Sequence, residues 1–338
     1  MPEKKINKKK DNFVFHDVEK MVKLLFNTKS AKIGSHPMNF FILGGTGFIG
    51  IPLIRFLLKK KHKVTALVRS EGKAELLPPG TAILTGNPLS PGNWQDEAGK
   101  SDVIINLVGR NIATRWTEEA KQAIMETRIL STRMAAEAIS RERAHEITLI
   151  NADAVGHYGD TGDAVITEES PPGKGFLADV TNAWENETKL AREKGAKVVF
   201  TRFGVVLGKG GGIIGQMLPV FRLGVGGRLG NGRQWLSWIH IHDLCRAMLF
   251  VLEKDIIGPV NFCAPHPVTN KELTKTMARF LKRPAIFPVP GFLLRMVIGG
   301  AADMALQGQR VVPRVLEKAG FPFDFPTLEE ALKDIISA

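Results

Sequence analysis

The chain has 338 residues, 44% apolar and 24% charged, the proportions of a globular protein with one large domain or two unequal ones. Its formal net charge is +12, but residues 1–37 hold nine lysines against four acids, so the rest carries only +7 with no aromatic-interleaved basic motif, and nucleic-acid binding is not expected. No apolar run is long enough for a membrane span and no secretory signal is apparent; the two cysteines, Cys245 and Cys263, lack metal-ligand spacing and read as buried thiols in a reducing compartment, the cytoplasm, with an organelle stroma or matrix as the alternative.

Residues 1–10 are mostly lysine and polar. Residues 16–27 place Val18, Met21, Val22, Leu25 and Phe26 on one helical face, with lysines on the other. Contact with the protein's own body or with a partner chain is the expected use, and a membrane-surface anchor the alternative. The domain proper starts at Met38.

A short apolar strand, residues 40–43, runs into Gly44-Gly45-Thr46-Gly47-Phe48-Ile49-Gly50. Gly44, Gly47 and Gly50 stand as Gly-x-x-Gly-x-x-Gly, and Pro52 to Leu58 continues as an amphipathic helix. A turn that tight needs residues without Cβ, as does backbone touching a pyrophosphate, and the helix start offers free N–H groups to the phosphates. The stretch therefore reads as a dinucleotide site. The next strand, 63–68, ends at Arg69 and Ser70. An acid there would take the ribose 2′-hydroxyl of NAD, whereas Arg69 offers a forked cation and Ser70 a donor to a 2′-phosphate, which favours NADP over NAD.

A third strand covers 82–86 and a fourth 102–109, whose end, Leu107-Val108-Gly109, should line the crevice beside the cofactor. A helix follows over 117–141. A fifth strand, 146–150, runs into Asn151-Ala152-Asp153-Ala154-Val155-Gly156-His157-Tyr158, polar residues where this architecture puts its chemistry. Tyr158 is the only tyrosine in the chain. A helix around Trp184-Glu185 and a sixth strand, 197–203, come next. From about residue 209 the strand–helix alternation loosens, starting at Lys209-Gly210-Gly211-Gly212, read as a hinge or an anion-contacting loop. His240, His242 and Asp243 invite a metal reading, but the spacing fits a strand feeding a helix N-capped by Asp243, and no metal site is assigned. Thr327 and Glu330 form a capping box near the end.

These elements predict an α/β fold: a Rossmann-type, doubly wound parallel sheet with a smaller C-terminal, substrate-facing subdomain. The expected boundaries are 1–37 for the extension, 38–208 for the dinucleotide domain, 209–287 for mixed cleft segments and 288–338 for a terminal segment. The glycine block, residues 154–160, 204–208 and 232–240 together resemble the extended short-chain dehydrogenase/reductases. More narrowly they resemble the atypical branch called epimerase family proteins, which carries its own C-terminal segment of unknown function near 288–337. The resemblance covers residues 38–337. It implies an NADP-dependent oxidoreductase or epimerase acting on a small molecule, with a nucleotide sugar as one class. The wider superfamily uses a serine or threonine after the fifth strand and a Tyr-x-x-x-Lys pair on the next helix, whose lysine lowers the tyrosine pKa for proton exchange during hydride transfer. Here Asp153 lies near the serine position and residues 180–185 supply neither tyrosine nor lysine, a departure that the atypical branch shares. Tyr158 and Asp153 are therefore the candidate acid–base residues, with His157 and Glu185 behind them. The alternative is a non-catalytic protein that senses NADP(H) on the same fold.

Overall fold

The computed structural model describes residues 36–337, so the amphipathic stretch 16–27 lies outside the described residues. The chain begins with β1 (Asn39–Leu43), α1 (Gly50–Lys59), β2 (Lys63–Val68), β3 (Ala82–Thr85), α2 (Trp94–Ala98), β4 (Val103–Asn106) and α3 (Glu118–Glu137). It continues through β5 (Thr148–Ala154), β6 (Val165–Ile166), α4 (Phe176–Glu187), α5 (Lys189–Lys194), β7 (Lys197–Phe203), β8 (Val205–Leu207) and α6 (Gly212–Arg222). Then come β9 (Trp235–Leu236), β10 (Trp238–His240), α7 (Ile241–Glu253), β11 (Gly258–Phe262), β12 (Val268–Thr269) and α8 (Asn270–Leu281). The last elements are α9 (Gly291–Ile298), α10 (Asp303–Leu306), β13 (Arg310–Val311), α11 (Arg314–Lys318) and α12 (Leu328–Ile336).

Seven strands form one sheet in the order β3-β2-β1-β4-β5-β7-β11, every pair parallel. Parallel strands need crossovers that put helices on both faces, so the central strands must be apolar on both sides. β1 shows the result. Phe40 and Ile42 pack with Leu53 and Ile54 of α1 and with Leu244 and Met248 of α7. Phe41 and Leu43 face the other layer, with Trp94, Ile104 and Met134. The strand order reverses beside β1, between β2 and β4, and this opens the crevice in which such sheets bind ligands.

Two strands differ from expectation. β4 stops at Asn106 rather than running to Gly109, because the Asn106 side chain accepts the Val108 N–H at 3.1 Å and turns the chain out of the ladder. β5 starts later and runs on to Ala154, because pairing with β7 continues through Ala154 and Phe203. Asn151, Ala152 and Asp153 are thus strand residues. The cap assigned to Asp243 is also corrected: His240 caps α7, its Nδ1 accepting the His242 N–H at 3.3 Å. Asp243 lies inside the first turn, fully buried, and accepts the Asp324 and Phe325 N–H groups at 3.0 and 2.9 Å and Arg246 at 2.7 Å. Its carboxylate ties the terminal segment to α7. The Thr327–Glu330 capping box is present.

Residues 209–287 and 288–338 share one core, in which Ile214, Phe221, Leu273 and Met277 pack with Leu328, Leu332 and Ile335. Cys245 and Cys263 are both free and buried. No helix among the described residues is long and apolar enough to cross a membrane.

Candidate functional site

The loop between β1 and α1 is shaped by backbone crowding. Gly44 sits at φ +80°, and a Cβ there would lie 2.9 Å from the Leu107 carbonyl carbon. A Cβ on Gly50 would come within 2.5 Å of the Gly45 carbonyl oxygen. These two glycines let the turn close against its own helix and against the end of β4. Gly47 closes it with an N–H bond to the Gly44 carbonyl at 3.1 Å and is exposed. No side chain caps the start of α1; the Ile51 N–H donates to the Gly47 carbonyl at 3.2 Å, the Leu53 N–H to the Ile49 carbonyl at 3.1 Å and Pro52 has none, so the N–H groups left for an anion are those of Phe48, Ile49 and Gly50. Thr46, Phe48 and Ile49 are half-buried along the same loop. The cradle suits the diphosphate of a dinucleotide.

Phe48 anchors this loop to the start of the C-terminal part. Its ring fills space that side chains on Gly208, Gly211 and Gly212 would occupy, at 3.1, 2.5 and 3.0 Å. Residues 209–212, expected to act as a hinge or anion loop, thus form a socket for Phe48.

Arg69 and Ser70 leave the end of β2 with both side chains exposed, and Ser70 makes no cap bond to the turn at Glu71–Leu76. Leu107 and Val108 lie half-buried against Gly44, and Gly109 is exposed beside Arg128, whose guanidinium carbon is 3.0 Å from where a Cβ would be. Burial pushes the Arg128 pKa down to about 10, against the pull of Asp153.

The second half of the site lies at the carboxyl ends of β5 and β7. Pairing sets Asp153 opposite Arg202. The Arg202 Nε donates to Glu185 Oε1 of α4 at 2.9 Å and lies 3.7 Å from Asp153 Oδ2. Its Nη2 is 2.8 Å from the same Glu185 oxygen, and its Nη1 donates to the Tyr158 hydroxyl at 2.9 Å. That hydroxyl donates to Asn261 of β11 at 2.7 Å. His157 stands 3.5 Å from the Thr181 hydroxyl and 3.9 Å from Glu185.

Charge within this cluster follows from burial. Both Asp153 oxygens are buried without a hydrogen-bond partner. Burial, reinforced by the Glu185 carboxylate, holds the Asp153 pKa well above the ordinary carboxylate range. Burial and then the Arg202 charge push His157 down to about 4, leaving it neutral. Burial raises Tyr158 to about 12. Burial also works against the Arg202 charge, but the phenol and Glu185 outweigh it and leave its pKa raised. Asp153, His157 and Glu185 each offer a ligand atom within 4.8 Å of the others. Arg202 stands beside two of the three, 2.8 Å from Glu185 and 3.7 Å from Asp153. The arrangement can therefore hold one proton on Asp153, beside a fixed cation that would stabilise the carboxylate left after its transfer.

Asp153, His157, Tyr158 and Glu185 thus come together, while Arg69 and Ser70 lie at the other end of the crevice. The sequence does not single out Arg202, Asn261 or Asn106. Asn106 donates to Ser131, Thr132 and Asn151 at 3.2, 3.0 and 3.0 Å, a buried set that fixes β4 to α3 and β5. The available signal was a polar residue within an apolar strand, as at Asn106 and Arg202. Further out, a pocket of about 210 Å³ is lined by Asp160, Asp163, Asn231, Arg233 and Trp235 among others. Trp235 there donates to Asp163 at 2.7 Å and stacks under Arg310 at 4.5 Å.

Residues 40–262 match the family model described as the NAD dependent epimerase/dehydratase family, and residues 289–335 match a domain of unknown function, DUF1731. The chain is 41% identical over 295 residues to the epimerase family protein Mb2239 of Mycobacterium bovis, covering 86% of this chain and 95% of that one. It is 36% identical over 302 residues to the chloroplastic SDR39U1 homologue of Arabidopsis thaliana, covering 88% and 87%. The crystal structure of human epimerase family protein SDR39U1 (isoform 2) with NADPH superposes with a TM-score of 0.77 at 33% identity, covering 89% of this chain and 99% of that one. A UDP-glucose 4-epimerase from Thermus thermophilus in complex with NAD superposes at a TM-score of 0.73 and 20% identity, a likeness of fold alone. This chain belongs to the NAD-dependent epimerase/dehydratase family and carries the DUF1731 domain at its C-terminal end.

Proposed function

We propose that this protein binds NADPH in the crevice beside β1 and uses it as an oxidoreductase on a small carbonyl substrate, with Asp153 as the proton-carrying residue. One observation carries the reading: the Asp153 carboxyl is buried, without a hydrogen-bond partner, between Glu185 and Arg202 at the carboxyl end of β5. A carboxyl so placed holds its proton at neutral pH and releases it when negative charge develops nearby.

Residues 44–50 would hold the diphosphate on backbone N–H groups, and Leu107, Val108 and Gly109 would form the wall beside it. Arg69 and Ser70 would take a 2′-phosphate, in keeping with the NADPH in the human SDR39U1 crystal. Bound NADPH supplies a hydride from C4 of its nicotinamide. Asp153 holds the exchangeable proton on a carboxylate oxygen. Arg202 keeps the resulting carboxylate paired, and Glu185, about one-fifth exposed, links the pair to solvent. Tyr158 holds Arg202 in place through its hydroxyl. Neutral His157 stands 3.9 Å from the Glu185 oxygen that Arg202 holds, with the Thr181 hydroxyl behind it at 3.5 Å.

The test is a cofactor titration followed by turnover. NADPH should quench or enhance protein fluorescence at lower concentration than NADH does. Oxidation of NADPH across a panel of small carbonyls and nucleotide sugars should occur with the wild type and be lost in Asp153→Asn, which should still bind NADPH. A second reading, an NADP(H)-sensing protein without turnover, is favoured by the missing tyrosine–lysine pair and the fully engaged Tyr158 hydroxyl. Binding with no oxidation across the panel would select it.

A further inference from the structure

Two segments of the C-terminal part combine large exposed apolar side chains with cations only. The first runs from the end of α6 to residue 229, the second from the end of α8 through α9. They lie side by side: the Val289 N–H donates to the Arg228 carbonyl at 2.8 Å and the Gly230 N–H to the Val289 carbonyl at 2.9 Å. A Cβ on Gly224 would meet the Pro284 ring at 3.7 Å. On this face Leu223 is 79% exposed, Ile286 72%, Phe292 65%, Met296 68% and Val297 70%. Not one residue of α9 is buried, although six of its eight are apolar. Monomeric proteins rarely leave such a patch open without a use for it.

Charge decides what the patch fits. Arg222, Arg228, Lys282, Arg283 and Arg295 are all exposed on these segments, and residues 219–229 and 281–299 contain no aspartate or glutamate. Among the described residues only Arg295 of the five has an acidic partner, Asp303 at 3.3 Å. A second copy meeting the patch by two-fold symmetry would set arginine against arginine, so a self-association surface is disfavoured. The side chains protrude from a short helix and two loops instead of lining a groove. Apolar side chains ringed by arginine and lysine match a lipid surface with anionic headgroups, which takes the apolar groups into its acyl boundary and the cations at headgroup level.

We propose that this face is a membrane-interface site, docking the protein peripherally on anionic lipid through Leu223, Ile286, Phe292, Met296 and Val297. The far end of α9 leads to Gly299 and Gly300, which lie against Arg115 and Trp116 on the connection from β4 to α3. Docking would therefore set that connection, a neighbour of the crevice, close to the lipid surface.

Co-sedimentation of the full chain with vesicles tests this. The wild type should pellet with vesicles of phosphatidylcholine mixed with phosphatidylglycerol and stay in solution with phosphatidylcholine alone. Phe292→Ser with Met296→Ser, and separately Arg222→Glu with Arg283→Glu, should each lower the bound fraction about tenfold. All four side chains are exposed, so both variants should melt as the wild type does. Equal binding to neutral vesicles, or no wild-type binding, overturns the proposal; the latter would turn attention to an acidic protein partner. Binding that survives both double variants also overturns it, and moves the lipid contact to lysines such as those of residues 1–37.

Discussion

The crevice has two ends built from different materials. At the β1–α1 loop, the contact surface is main chain: Gly44 and Gly50 are there because a Cβ would strike backbone at 2.9 and 2.5 Å. At the ends of β5 and β7 it is side chain: Asp153, His157, Glu185, Arg202 and Tyr158 meet from two strands, a turn and a helix. The first end is fixed by local sterics and should tolerate almost no substitution at its glycines. The second is fixed by charge balance, and each member depends on the others being present. Backbone sites are conserved in shape even when their chemistry varies, whereas a charge cluster can be rebuilt with different members.

The sharpest test of that contrast is removal of the cluster's cation. Arg202→Met leaves the Glu185 carboxylate, about one-fifth exposed, beside protonated Asp153 without its counter-charge, and should cost about 2–3 kcal/mol in urea denaturation. A loss under about 1 kcal/mol would mean that Glu185 simply takes up a proton, and the cluster would then be less interdependent than described. At the other end, Gly50→Ala forces a Cβ against the Gly45 carbonyl and should destabilise by about 1–3 kcal/mol while abolishing NADPH binding. Retained binding in that variant would break the claim that the loop is sterically fixed.

A pH series separates members of the cluster from one another. His157 is held down at about 4 in the folded protein, below its unfolded value, so the unfolded chain binds more protons between about 4 and 6.5. Its contribution is present above the unfolded pKa and is lost as pH falls through that window. Asp153 is raised, so its contribution is present below the unfolded carboxylate value and is lost as pH rises through the folded pKa. His157→Asn should therefore flatten the acid-side loss, and Asp153→Asn should remove the opposing slope, both read from melting temperature against pH. Identical profiles for the two variants would contradict the assigned protonation states. The smallest effect is expected at the exposed Arg69. Arg69→Ala should weaken NADPH about tenfold and leave NADH unchanged in a fluorescence titration. Equal loss for both cofactors would remove Arg69 from the 2′-phosphate.

The two ends also differ in how far sequence reveals them. The glycine loop is legible because its constraint is local, so Gly44, Gly47 and Gly50 must stand at fixed spacing along the chain. The sheet is legible for a similar reason, since strands buried on both faces write continuous apolar runs such as 40–43 and 198–200. The partnership of Asp153 with Arg202 exists only through the register of β5 against β7, which no spacing encodes. Asn106 ended β4 early through a side-chain bond to its own following backbone, and that competition between local bond and ladder was hidden in an apolar run. At α7, acidic Asp243 matched the local rule for a cap, but its carboxylate is claimed by backbone N–H groups more than 80 residues away, which left His240 to cap the helix.

The Phe48 ring, seated among Gly208, Gly211 and Gly212, makes the β1–α1 loop and the entrance to the C-terminal part a single mechanical piece. A ligand that stills residues 44–50 also stills residues 208–212, and the entropy of ordering both is spent once.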